Sequence, residues 1–308
     1  MKCRRKHDPI RILEAILYLL RSGCQWRLLP LCYPHWQSVY NKWRYWNSKG
    51  IFNRIHQFLI KNARKRCGRN EYPTVCFIDS ASRRNGLSDS VKGIDGFKKI
   101  KGIKRHIVVD SQGNILHVHT TCANINDGRS CLGMIAEIKR MYPTLKEIRA
   151  DKGYRGEEVF RTAQEQGLNI VCTKSNAGGA IFIPAQGRWI VERSISWLDN
   201  CRRLVRNYER ECETATCMTV TAEIYRLLRF LWDVLHNDLR AVGPDSSGMS
   251  CRYSLKSGIE SLSCEKSYLR PALFGIFCRD LIGHDARIAP SSTRKICSKI
   301  AAPTTSKF

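Results

Sequence analysis

The chain has 308 residues, with 52 Lys+Arg against 27 Asp+Glu, a formal charge of +25 and a pI near 9.7. That length accommodates two domains, or one domain with appendages, and so large a cationic excess attracts polyanions, nucleic acid before anionic membrane. Fifteen scattered cysteines, with no C-x-x-C pair and no Cys/His cluster at zinc spacing, argue against a zinc module or a disulfide framework and for a reducing compartment.

In chain order, the first segment is M-K-C-R-R-K-H-D-P-I-R-I-L-E-A-I-L-Y-L-L-R-S-G-C. It has the outline of a secretory signal, but Arg11 and Glu14 interrupt the apolar stretch and Arg21 stands where a cleavage site wants a small residue. Asp8-Pro9 reads better as a helix N-cap with proline at the first helical position, and Gly23 as the cap at the far end, giving a helix over 9–22. A second helix is predicted to begin near Tyr33–Trp36 and run to about Lys49, with Trp36, Val39, Trp43 and Trp46 at helical spacing, and a third from Ile51 to Arg66. These make a small all-helical N-terminal domain, residues 1–70, with a helix-turn-helix flavour. Lys42 and Arg44 are its candidate DNA contacts, against the plainer reading of solvated charges. No run is long enough to span a membrane.

After residue 70 the pattern changes to strands. T-V-C-F-I-D is the first, and H-I-V-V-D, S-Q-G-N and I-L-H-V-H-T-T-C form a hairpin over about 104–122. A helix near 130–141, the strand L-K-E-I-R-A-D, a helix near 157–166 and the strand L-N-I-V-C-T follow. A loop over 174–187 precedes a long helix from Arg188 to about Tyr208, and a last helix covers about 214–236. Strands alternating with helices in this way predict a mixed α/β sheet with flanking helices over 71–236. Residues 237–308 are serine-rich, hold 11 basic and 6 acidic residues and show no sustained periodicity, which predicts a poorly ordered extension.

Two of the strands, F-I-D and R-A-D, end on aspartates, Asp79 and Asp151. Strand ends form the usual ligand crevice of an open α/β sheet, and two carboxylates meeting there repel one another unless a cation sits between them. Glu192 lies about 200° around its helix from Ile190 at ~100° per residue, away from the packed stripe of Ile190, Ser194, Trp197 and Cys201. Alone, it reads as a solvated first-turn glutamate. Hard oxygen donors in a basic setting, with no soft ligand cluster, point to Mg²⁺ acting on phosphodiesters. The run F-K-K-I-K-G-I-K-R-H places Lys98, Lys99, Lys101, Lys104 and Arg105 as candidate DNA-backbone contacts, and Arg203 joins them near Glu192. His106, His117 and His119 complete no metal site and read as structural.

The chain resembles the DDE transposases of bacterial insertion sequences, in the insertion-sequence-five group of the four/five superfamily. The resemblance is carried in order by A-I-L-Y-L-L-R-S-G-C-Q-W-R-L-L-P, W-Q-S-V-Y-N-K-W-R-Y-W, I-D-S, G-F-K-K-I-K-G-I-K-R-H-I-V-V-D, A-D-K-G-Y-R-G and R-W-I-V-E-R-S-I-S-W-L-D-N-C-R-R-L, over about residues 5–232. It implies a ribonuclease-H-like catalytic core in which Asp79, Asp151 and Glu192 are the catalytic, metal-binding triad for two Mg²⁺ ions, with Mn²⁺ as a substitute. It implies an enzyme that cuts the DNA of element ends to free a 3′-OH and joins that 3′-OH to target DNA. The partners implied are double-stranded DNA and further copies of the chain on that DNA, in a bacterial cytoplasm and at the nucleoid. Arg188 matches an arginine common four residues before the glutamate in the group. The superfamily's tyrosine seven before and lysine seven after are here Ala185 and Asp199. The rival readings are an inactive DNA-binding remnant or regulator, and a ribonuclease-H-like nuclease with another role.

Overall fold

The computed structural model describes residues 7–172 and 187–241, without the side chains of Arg188 and of residues 235–241. Most of the loop predicted over 174–187, and the extension beyond 241, lie outside the described residues. The chain divides into two compact units at Leu227/Leu228, and the sheet, with the helices as far as Leu227, belongs to the first.

Helix α1 spans Pro9–Ser22, with Asp8 accepting from the Ile10 amide and Gly23 closing it in the left-handed region at φ 71°. Its Ile12, Leu13, Ala15, Ile16, Leu17, Leu19 and Leu20 are buried, and each large aliphatic contributes about 1.5–3 kcal/mol by leaving water. Helix α2 spans Trp36–Ser48 and buries Val39, Trp43 and Trp46. Helix α3 spans Ile51–Arg66 and buries Ile51, Ile55 and Leu59 together with Phe52, His56 and Ile60.

The sheet is built from β1 (Val75–Arg84), β2 (Gly93–Asp95), β3 (Ile100–Val109), β4 (Ile115–Cys122), β5 (Glu147–Ala150) and β6 (Asn169–Cys172). β3 runs antiparallel to β1 on one edge, and on its other edge meets β4 and, further along, β2. β5 lies parallel to β1 on the far side, and β6 parallel to β5. Reading β4-β3-β1-β5-β6, three antiparallel strands continue into two parallel ones, the ribonuclease-H-like arrangement. Helices α4 (Asp127–Met141) and α5 (Glu157–Glu165) are the crossovers that parallel strands require.

The long helix expected from Arg188 to Tyr208 is broken. Helix α6 spans Arg188–Asp199 and a single turn, α7, spans Arg202–Val205, with Cys201 extended between them. Helix α8 begins at Cys212 and runs to Ala241. The first strand is also longer than expected: it continues past Asp79 to Arg84, because β3 goes on pairing with it after β5 has ended.

The turn between β3 and β4 gathers the helices. Asp110, fully buried, forms an ion pair with Arg64 of α3 and accepts from the amides of Gln112 and Asn114. The Ile115 amide donates to Glu223 of α8 at 3.1 Å, and Arg226 bonds both Glu223 and Asn114. Burial pushes the Glu223 carboxyl up, with Arg226 opposing that shift. Arg193 and Ser194 of α6 reach the carbonyls of Gln112 and Gly113 at 2.9 and 2.8 Å. Buried polar groups of this kind are costly unless paired, so the turn fixes where three helices sit.

Candidate active site

Successive β1 side chains alternate between the faces of the sheet. Phe77 lies against Gly187 at the start of α6, and Arg83 pairs with Asp199 at its end, so the odd-numbered positions face α6. Ser80 instead donates to Asp127 of α4, on the opposite face. Asp79 therefore faces α6, and lies along β1 between the two points where that helix touches the strand.

Asp151 is Asp79's neighbour. The parallel register pairs Phe77 with Arg149 and Ile78 with Ala150, and Asp151 continues extended at φ −76°, ψ 169°. Continued one step beyond the last pair the two strands make, that register sets Asp79 level with Asp151 on the same face. Both are half-buried. Each carboxylate also accepts from the next residue's amide, Ser80 and Lys152 respectively, both at 2.7 Å. Asp79 does not end its strand: it sits where β5 has peeled away while β3 still pairs, which opens one flank of β1 beside it.

Glu192 is exposed on α6. It precedes Asp199 by seven residues, a separation of only about 20° around the helix at ~100° per residue, and so shares the helical flank that pairs with Arg83. The helix thus lies on the Asp79 side of the sheet. Among the described residues no three His, Cys, Asp or Glu side chains converge tightly enough to cage an ion. The three carboxylates share one face without closing on a point. The donor set still fits Mg²⁺, which keeps several waters and is commonly held through one or two carboxylates. Adjacent Asp79 and Asp151 offer that pair, with Glu192 on the helix across the face.

The other expected site residues divide sharply. Lys98, Lys99 and Lys101 are exposed. Lys104 and Arg105, expected beside them, are buried: Lys104 bonds Asp127 at 3.0 Å and Arg105 donates to the Leu204 carbonyl. Arg203, expected at a DNA surface, is buried and held by Glu209 at 2.9 and 3.1 Å. Lys42 is half-buried over the rings of Tyr45 and Trp46, and Arg44 is exposed near Tyr40. The side chain of Arg188 lies outside the described residues.

Asp127 was not singled out from the sequence. It touches Ser80 and Lys104, and any side chain at Gly153 would press on it at 3.0 Å. Tyr154 hydrogen-bonds His106 at 3.1 Å, and His106 bonds Thr121 at 3.2 Å. Together these moor the D-K-G-Y turn, and with it Asp151, to the sheet. N-D-G after a strand was the only available signal, and it reads as an ordinary helix cap: Asn126 does accept from the Gly128 amide.

The strand order and pairing directions place the chain in the ribonuclease-H-like class. Its family is given by comparison with known proteins. Residues 2–56 match the family described as "Putative transposase of IS4/5 family", and residues 71–181 match "Transposase DDE domain". Together the two matches span just over half of the chain, which belongs to the DDE transposases of the IS4/5 type. It is 33% identical over 119 residues to the "Putative transposase for insertion sequence element IS402" of Burkholderia cepacia. That alignment takes in 36% of this chain and 56% of the relative, so the chain spans little more than half the length of the curated protein it matches. Among solved structures, the catalytic core domain of BIV integrase aligns with a TM-score of 0.32 and 13% identity, over 55% of this chain and 98% of that one.

Proposed function

We propose that the chain is a DNA transposase that cleaves the ends of an insertion sequence and joins them to target DNA, with Asp79, Asp151 and Glu192 as its catalytic residues. The observation that carries this reading is the side-by-side placement of Asp79 and Asp151 on the face that α6 covers. Such a pair serves little structural purpose on a partly exposed face, and it matches what Mg²⁺ asks of a protein. Asp79, Asp151 and Glu192 would hold two divalent ions, Mg²⁺ or Mn²⁺, whose chemistry when bound is to activate an attacking oxygen and stabilise the leaving one.

The chain's own contribution is positioning. The β1–β5 register sets the spacing of the two aspartates. The Arg193 and Ser194 bonds to the β3–β4 turn hold Glu192's helix on their face. Exposed Lys98, Lys99 and Lys101 would bind the phosphate backbone of double-stranded DNA, and Arg44 would add a contact from α2. The two DNA ends of an element call for more than one copy of the chain, so assembly into an oligomer on DNA belongs to the same proposal. So does work in the bacterial cytoplasm, where the DNA substrate lies.

The test is cleavage of a plasmid carrying the gene with its flanking DNA, by the purified full chain in Mg²⁺ or Mn²⁺. Asp79→Asn, Asp151→Asn and Glu192→Gln keep size but lose the charge an ion needs. Each is expected to lower strand cleavage by more than the roughly 10–100-fold cost of losing an outer-shell metal partner, with DNA binding in a mobility-shift assay retained. Cleavage by Asp151→Asn at the wild-type rate would overturn the assignment. A wild-type chain that binds DNA but never cleaves it would favour the regulator reading.

A further inference from the structure

Between β1 and β3 the chain makes a small hairpin that the carboxylate site does not use. β2 pairs Gly93 with Gly102 and Asp95 with Ile100, leaving Gly96–Lys99 as a four-residue tip. Phe97 at that tip is 95% exposed. A lone exposed apolar residue means little, but this one has company. Ile94 is 59% exposed, and Leu87 and Val91 in the approach to the hairpin are exposed as well. Lys98, Lys99 and Lys101 stand exposed around it.

The tip is also held firmly. Asp95 is buried, and one of its carboxylate oxygens accepts from the amides of Phe97 and Lys98 at 3.1 and 3.0 Å. The other accepts from the Ser82 hydroxyl of β1. Lys99 closes the turn at φ 52°, a left-handed conformation that a lysine keeps only where its surroundings impose it. A buried carboxylate thus fixes a turn whose sole large apolar side chain stands in water, amid cations.

The chemistry that answers an aromatic ring ringed by lysines is a polyanion with flat apolar faces, which describes nucleic-acid bases between phosphates. The position agrees. Asp79 pairs with Ile107 of β3, and the tip leaves β3 at Ile100. Seven residues of strand span about 23 Å at ~3.3 Å each, or six to seven base-pair steps of ~3.4 Å. A duplex bound at the carboxylates would reach the tip within one turn.

We propose that Phe97 is a base-stacking wedge, carried on the rigid β2–β3 hairpin, that enters double-stranded DNA at a disrupted base step beside the carboxylate site. The inference rests on the DNA reading above. Lysines around the tip neutralise the backbone, and the ring takes the stacking place of a displaced base.

The test compares two duplexes of one sequence, one fully paired and one with a single unpaired base, binding to the full chain by fluorescence anisotropy. Wild-type protein is expected to prefer the bulged duplex by roughly 5- to 150-fold, the range base–aromatic stacking spans. Phe97→Ala should lose the preference and bind both as wild type binds the paired duplex, and Phe97→Trp should keep it. The salt dependence of Phe97→Ala should match wild type, since its phosphate contacts are intact. A preference retained in Phe97→Ala, equal weakening on both duplexes, or no preference in wild type overturns the wedge while leaving DNA binding standing. Wild-type protein that binds neither duplex sinks the DNA reading itself. Phe97-dependent sedimentation with anionic phospholipid vesicles, with DNA binding unaffected, would assign the tip to membrane and overturn the proposal.

Discussion

At the scale of single residues, three histidines are buried in ways that tie stability to pH. His56 lies on α3, His106 on β3 and His117 on β4. Burial, the largest influence on each, lowers His56 and His106 to about 3 and His117 to about 4. Neighbours modify this: Arg226 and His117 near His56, His119 and Lys104 near His106, Glu137 raising and His119 lowering His117. The folded pKa values lie below the ordinary 6.5, so below pH 6.5 the unfolded chain takes up protons that the fold refuses. The stability these residues allow is complete above about pH 6.5 and is lost as pH falls from there toward the folded values. Each can contribute up to about 1.4 kcal/mol per pH unit over that window. The midpoint of urea unfolding is therefore expected to drop between pH 7.5 and pH 5.5, above the ordinary carboxylate range; Glu223, whose carboxyl burial pushes up, works in the opposite sense. An unchanged midpoint would mean that the three rings are protonated in the folded state.

At the scale of elements, α6 is the piece on which the proposed site turns, and Gly187 sets its entry. Gly187 has φ 89°, and a Cβ there would stand 2.2 Å from the Phe77 ring. Gly187→Ala must therefore adopt a backbone that costs about 1–2 kcal/mol, and must also lift the helix start or turn Phe77 aside. The expected outcome is a lower unfolding midpoint, with a larger relative loss of DNA cleavage than of DNA binding, because Glu192 moves while the exposed lysines do not. Equal loss of both activities would count against a role for α6 in placing Glu192. The sequence made α1 and α3 legible to the residue because both carry unambiguous punctuation: Asp8-Pro9 with Gly23, and Gly50 ahead of Ile51. The break between α6 and α7 was hidden. Ser194 before it, Cys201 within it and Leu204 after it are all buried, so the packed stripe runs on although the helix does not. The full length of β1 was hidden too, since Ser80, Ser82 and Arg83 look like loop residues until Asp127, Asp95 and Asp199 are found opposite them. Lys104, Arg105 and Arg203 were misplaced at the surface for a related reason: nothing local in a basic run distinguishes a cation that faces water from one that meets a buried partner.

At the scale of the whole molecule, the question is how much of a charge of +25 is available to DNA. The excess is not a terminal tail, since residues 237–308 hold only 11 basic and 6 acidic residues. Within the fold some cations are already committed. Arg64 is paired with Asp110, Lys104 with Asp127 and Arg203 with Glu209, each in a buried or nearly buried setting. The exposed lysines of the β2–β3 hairpin are not masked in this way by burial. Counterion release makes the distinction measurable, because the logarithm of affinity falls with the logarithm of salt by about 0.9 for every duplex phosphate neutralised. Replacing Lys98, Lys99 and Lys101 together with alanine is expected to flatten that slope, on any DNA sequence, by up to about 0.9 for each phosphate the variant no longer neutralises. Arg203→Met is the contrasting variant. It removes one positive charge as well, but strands Glu209 in a buried position, so it should lower stability toward the roughly 3–5 kcal/mol cost of breaking a buried pair and leave the salt slope unchanged. Binding titrations across a salt series for the two variants would separate the cases. A flattened slope in Arg203→Met, or an unchanged one in the triple lysine variant, would mean that the DNA-facing surface lies elsewhere on the chain.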